Sequence, residues 1–240
     1  MIPEQAVRLG VPDGVSLEAR VALVPGAPAG LVVCHPHPLY GGDMDNPVVV
    51  RVADVGGELG LATLRFNFRG VGGSTGSHGG GEAEEADVEA ALGWMTQHVE
   101  RVALVGYSFG AAVCAAVGAR WPRVAGLALV APAIGAGTGR PGRTEGGLIQ
   151  MLGAGTGRPV CTEGGLIRLL GSPGAPSPVL IVAGDSDEYC PVGALHRLRR
   201  ELPRAHVQIV AGANHFFFGK LFPLGEAIRE WARRLAPGTS

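Results

Sequence analysis

Val105-Gly106-Tyr107-Ser108-Phe109-Gly110 sets a serine in the pattern G-x-S-x-G, after a short apolar run and before a stretch of small residues. A strand that turns sharply into a helix at that serine would lift its hydroxyl clear of the sheet edge and leave helix N–H groups beside it. A serine hydroxyl is a weak nucleophile on its own, so the chemistry requires a base within hydrogen-bond reach. His215 fits that part, in Gly212-Ala213-Asn214-His215-Phe216-Phe217, just past the last strand pattern of the chain. His78, His98, His196 and His206 fall in a loop, on helices or at a strand entry, and are not expected to converge on Ser108. A carboxylate must then orient the imidazole and stabilise its charged form. Ile181-Val182-Ala183-Gly184-Asp185-Ser186-Asp187 offers two. Asp187 lies further into the loop and gives the chain room to return toward His215, while Asp185 stays open as the alternative. Together these residues point to nucleophilic attack on an acyl carbonyl.

The elements that would position them alternate short aliphatic runs with longer helical patterns, the mark of a mostly parallel sheet covered by helices. Two strands are expected within 6–24, joined at Asp13-Gly14. Further strands are expected at 31–34, 62–68, 102–106, 124–130, 179–183 and 207–210, about eight in all. Asn46-Pro47 reads as a helix cap followed by proline in the first turn, opening a helix to about residue 60. Helices are also expected over 82–99, 111–119, 191–202 and 227–235. The first of these gathers its acids in the first turn, where the helix dipole favours them.

Residues 135–152 (GAGTGRPGRTEGGLIQML) and 153–170 (GAGTGRPVCTEGGLIRLL) are an 18-residue tandem repeat that differs at four positions. Two copies are too few for a solenoid. The segment 135–174 therefore reads as a glycine-rich insertion. It is either a passive duplication or a lid whose tracts Leu148-Ile149 and Leu166-Ile167 cover a pocket. Its glycines oppose a rigid helix.

Composition sets outer limits. The 240 residues suit one domain, with 46% hydrophobic and 17% charged residues, enough for a buried core. Twenty basic against 21 acidic residues leave no electrostatic footprint for nucleic acid or an anionic membrane. No apolar run approaches a membrane span, and Met1–Gln5 carries no basic start to a secretory signal, so a cytoplasmic location is expected. Cys34, Cys114, Cys161 and Cys190 are scattered without metal or disulfide spacing. Gly70-Val71-Gly72-Gly73-Ser74-Thr75 lacks the third glycine of a dinucleotide loop. His35 and His37 share a strand face as a metal pair would, but no third ligand is placed near them.

Longer motifs add a resemblance. His35-Pro36-His37-Pro38-Leu39-Tyr40-Gly41-Gly42 with Met44-Asp45-Asn46, then Arg65-Phe66-Asn67-Phe68-Arg69-Gly70-Val71-Gly72 with Ser74, join Gly106–Gly110, Gly184–Asp187 and Asn214-His215. In these the chain resembles the α/β-hydrolase superfamily, and more narrowly small bacterial hydrolases related to dienelactone hydrolases. The resemblance spans nearly the whole chain outside the repeat. It implies an α/β-hydrolase fold and the chain order Ser108, Asp187, His215 for a catalytic triad, since the last residue of G-x-x-D is the acid in this group. It implies an oxyanion hole built by the backbone N–H of Phe109 and of His37. Pro36 and Pro38 have no N–H to give, and Leu39 and Tyr40 remain as further donors. Leu39, Tyr40 and Tyr107 are expected to line the substrate pocket. The expected activity is cleavage of small neutral carboxylic esters through an acyl-enzyme, with no cofactor and no metal. Thioesterase, peptidase and lactonase action would use the same residues, and a non-catalytic binding protein on this fold is the alternative from another class.

Overall fold

A computed structural model describes residues 3–134 and 162–235. Strands β3 (Gly30–Cys34), β4 (Ala62–Phe66), β5 (Val102–Tyr107) and β7 (Val179–Gly184) are buried along their whole length, as is nearly all of β6 (Val124–Val130). Continuous apolar runs of this kind belong to a parallel sheet covered on both faces. With β1 (Gln5–Gly10), β2 (Ser16–Ala22) and β8 (Ala205–Val210) they form an eight-stranded sheet in the order β1-β2-β4-β3-β5-β6-β7-β8. The β1–β2 and β2–β4 pairs are antiparallel and the rest parallel. β1 and β2 meet at the expected turn, where Gly14 has φ +88° and Val11 N donates to Val15 O at 2.8 Å. Because β3 and β5–β8 run parallel, their C-terminal ends lie on one edge. Ser108, His37, Asp187 and His215 all follow those ends.

Helices α1 (Pro47–Glu58), α2 (Glu82–Met95), α3 (Phe109–Gly118), α4 (Glu163–Leu170), α5 (Val192–Glu201) and α6 (Leu221–Ala232) cover the sheet. The Asn46 side chain caps α1 by accepting the Val48 N–H at 3.0 Å, with proline following as read from sequence. A cap of this type contributes about 1 kcal/mol. α2 departs from a simple amphipathic helix, because Glu84 and Asp87 lie on its buried face. Glu84 accepts the Gly79 and Gly81 N–H groups at 2.8 and 2.7 Å. Asp87 takes the backbone N–H and guanidinium of Arg69. Both carboxylates pin the glycine-rich loop after β4, a pairing of distant residues that helical periodicity does not reveal. Cys34, Cys114 and Cys190 are buried.

The first repeat copy and the second up to residue 161 lie outside the described residues. Of the glycine-rich insertion, read as a passive duplication or a lid, 162–174 is described, and the tract Leu166-Ile167 packs inward, with Leu166 in the hydrophobic core. α4 contacts α3 and α5. It is helical despite Gly164 and Gly165, each of which costs about 1 kcal/mol in a helix. Burial of Leu166 and Leu170, at roughly 1.5–3 kcal/mol each, outweighs that cost. The Thr162 hydroxyl caps the Gly165 N–H at 3.0 Å, and Glu163 pairs with Arg197 at 2.6 and 2.7 Å. Glycine in the first turn is thus overridden by tertiary packing.

Candidate active site

Ser108 sits at the turn between β5 and α3 with φ 54° and ψ −107°, a backbone that side chains rarely adopt. The turn is that tight because its flanks are glycines. A Cβ on Gly106 would stand 2.3 Å from Gly110 O, and one on Gly110 would stand 2.6 Å from the carbonyl oxygens of Cys34 and His35. No larger residue fits either place. Ser108 makes no capping bond to α3, so its hydroxyl is left to another partner.

That partner is His215, whose Nε2 lies 2.9 Å from Ser108 Oγ. Its Nδ1 lies 3.0 Å from both carboxylate oxygens of Asp187. Asp187 is 4% exposed and also accepts the Tyr189 and Cys190 N–H groups, at 2.8 and 3.0 Å. Asp185 does a different job. It is exposed, accepts the Gly212 N–H at 2.8 Å and takes a bond from the Ser186 hydroxyl. Beside it, Ser186 N donates to Ala213 O at 3.0 Å, and a Cβ on Gly184 would meet Ala213 O at 1.9 Å. Asp185 and Gly184 thus hold the acid loop against the histidine loop, while Asp187 reaches the imidazole.

Tyr107, expected to line the pocket, stands beside His215, with the two rings 5.7 Å apart. It is buried, and its hydroxyl donates to His215 O at 2.9 Å. Burial, with the Asp187 charge added, pushes its ionisation well above that of an ordinary tyrosine, so it stays a donor. The residue before Ser108 therefore fixes the backbone of His215. Leu39 and Tyr40 are exposed on a short 3₁₀ turn (Pro38–Tyr40). Leu39 N donates to His37 Nδ1 at 3.2 Å and Tyr40 N to His37 O at 3.1 Å, so both amides are engaged within the turn. The rings of His37 and Phe109 approach to 4.9 Å, which brings the two expected donor residues together. Phe109 is the first residue of α3, and its N–H has no acceptor within the helix.

The R-F-N-F-R motif holds the loop that follows His37. Arg65 Nη1 donates to Met44 O at 2.8 Å and pairs with Asp45, and the Asn67 carbonyl accepts the Met44 N–H at 2.8 Å. His78, not expected near the site, comes close to the elbow after all. Its ring lies 5.0 Å from that of His37 and 5.4 Å from that of Phe109. The glycine-rich stretch around it carries no periodicity from which that position could be read. Tyr189 was also missed, although its ring meets the His215 imidazole edge-on at 4.7 Å.

His35 is spent inside the fold. Phe68 N donates to its Nε2 at 3.0 Å, and Nδ1 lies 2.6 Å from Pro36 O, so neither nitrogen has a lone pair for a metal. Among the described residues no cluster of three or more metal-ligating side chains occurs. Burial pushes the His35 pKa down to about 4. An unfolded chain, with histidine near 6.5, takes up that proton first, so stability should fall as pH drops from about 6.5 to about 4. We expect a loss on the order of 3 kcal/mol from this group. Urea unfolding at pH 7 and pH 4.5 should show a smaller loss for His35→Gln than for the parent, and equal losses would refute the assignment.

The architecture matches known proteins. A family model described as serine aminopeptidase, S33, matches residues 49–153. An uncharacterized protein of Rickettsia prowazekii is 31% identical over 231 residues, 92% of this chain and 85% of that protein. An α/β serine hydrolase homologue from Coxiella burnetii is 32% identical, with TM-score 0.74 and coverage of 96% of this chain and 97% of that one. A lidless α/β serine hydrolase from Xanthomonas campestris is 29% identical, with TM-score 0.75 and coverage of 100% and 99%. The chain belongs to the α/β-hydrolase superfamily, among its serine hydrolases. No helix of the described residues is long and apolar enough to cross a membrane.

Proposed function

We propose that this protein is a carboxylesterase acting on small neutral esters, with Ser108, His215 and Asp187 as its catalytic triad. The observation that carries this reading is the unbroken relay from Ser108 Oγ through His215 to Asp187, with contacts of 2.9 and 3.0 Å. His215 Nε2 takes the hydroxyl proton as Oγ bonds to the ester carbon, and the carbonyl oxygen becomes an oxyanion. The N–H groups of Phe109 and His37 stabilise that charge. On collapse the carbon–alkoxy bond breaks, the alcohol leaves with the proton from His215, and the acyl group stays on Ser108. Water then attacks the acyl-enzyme, giving its proton to His215, and the carboxylic acid departs as Ser108 recovers its hydrogen. The reaction so written requires neither metal nor organic cofactor.

Peptide cleavage would use the same relay. The rim favours an ester, because Leu39, Tyr40 and Phe216 are exposed and apolar. A free terminal ammonium would need an acidic partner there. The buried acid of the site, Asp187, is already held by His215 and two amides. A fluorophosphonate should add its mass to Ser108 alone, and an ester panel should show turnover that the same reagent abolishes. Failure to label, in folded protein, would favour a binding protein on this fold.

A further inference from the structure

Past the base, the chain shows three phenylalanines in a row and buries only the middle one. Phe217 is fully buried with φ 52°, a left-handed backbone that is a genuine outlier for so bulky a residue. Phe216 and Phe218 are 53% and 74% exposed, and their rings stack at 5.4 Å with planes 23° apart. The turn that presents them is built. Asn214 Oδ1 accepts the Phe216 and Phe218 N–H groups at 3.2 and 3.4 Å, and Phe217 N donates to Asn214 O at 3.1 Å. Lys220 N closes the loop on Phe217 O at 2.9 Å. Single exposed apolar residues are ordinary on a protein surface. A stacked pair, held outward by a strained anchor, is a different matter, since strain of this kind concentrates at functional sites.

The pair adjoins the imidazole. The ring centroids of Phe216 and His215 are 5.6 Å apart, edge to face. In acyl transfer the base returns its proton to the departing alcohol, so the alcohol portion of the ester must lie against His215. In the proposed reaction the carbonyl oxygen is taken by the Phe109 and His37 N–H groups, not by the Phe216–Phe218 side. Aromatic rings gain from offset stacking beyond their buried area.

We propose that Phe216 and Phe218 form a subsite for the alcohol portion of the substrate, and that the preferred esters are those of arylalkyl alcohols. This rests on the hydrolase reading above and adds which side of the ester is selected. The test compares 2-phenylethyl acetate with ethyl acetate, and ethyl 3-phenylpropanoate with ethyl acetate, as ratios of kcat/KM. The parent should favour the aromatic alcohol by about tenfold, and Phe218→Ala should cut that ratio by about threefold to tenfold. Phe218→Tyr should keep it, and the ratio for the aromatic acyl group should change little in either variant. A parent ratio near one, or an equal fall in both ratios, would overturn the subsite while leaving the esterase intact. So would an unchanged alcohol ratio with altered sedimentation in Phe218→Ala, which marks the pair as a surface for a second copy. If no ester turns over and fluorophosphonate fails to label Ser108, the hydrolase reading falls and takes the subsite with it.

Discussion

Replacing Ser108 with alanine is expected to lower kcat on a short-chain ester by about 10⁵ to 10⁶, the usual cost of losing a triad serine. The side-chain oxygen is the atom that would bond to the acyl carbon, and it lies 2.9 Å from the base that would take its proton. Alanine leaves His215 in place, held by Asp187 and by the Tyr107 hydroxyl on its backbone. The proposed oxyanion donors are backbone groups and also survive. Only residual catalysis from those donors and from binding should persist. The fold should hold, since the turn is shaped by Gly106 and Gly110 and Ser108 makes no cap. kcat and the melting temperature, taken on one preparation, check this. Full turnover in a folded Ser108→Ala protein would end the serine-hydrolase reading.

Asp187→Asn should lower kcat by roughly 10⁴ for a reason of proton position. Asparagine keeps a carbonyl oxygen, which can still accept the Tyr189 and Cys190 amides now bound by Oδ1. That leaves its NH₂ facing His215 Nδ1, which must then be the unprotonated nitrogen. The ring proton moves to Nε2, the nitrogen that has to accept from Ser108. Asp185→Asn should cost less than about tenfold, since an amide oxygen can still accept the Gly212 N–H. Steady-state kinetics on both variants decide the matter. A larger loss at 185 than at 187 would move the acid to the other carboxylate.

Local rules fixed what was legible. The strands β3–β7 announced themselves as apolar runs, and Asn46-Pro47 marked the start of α1. The elbow could be read because Gly106 and Gly110 are demanded by contacts that any Cβ would violate. The acid could be narrowed to two positions by distance along a loop, and the hydrogen bonds of each separate them. What stayed hidden depends on partners far away in the chain. The bond from the Tyr107 hydroxyl to a carbonyl 108 positions on has no local signal. Helix-dipole reasoning accounts for acids near the start of α2, yet Glu84 and Asp87 also hold a loop and Arg69. α4 forms where glycine propensity argues against helix, because Leu166 and Leu170 have a core to enter.

His215 hangs beyond β8, an edge strand of the sheet, several of whose residues are only partly buried. Edge strands fray at lower free energy than interior ones. Here fraying alone does not release the imidazole. The bonds from Gly212 to Asp185, from Ser186 to Ala213 and from Tyr107 to His215 tie the histidine loop to segments that follow β7 and end β5. His215, carried past the edge of the sheet, is thereby anchored to segments of its interior strands.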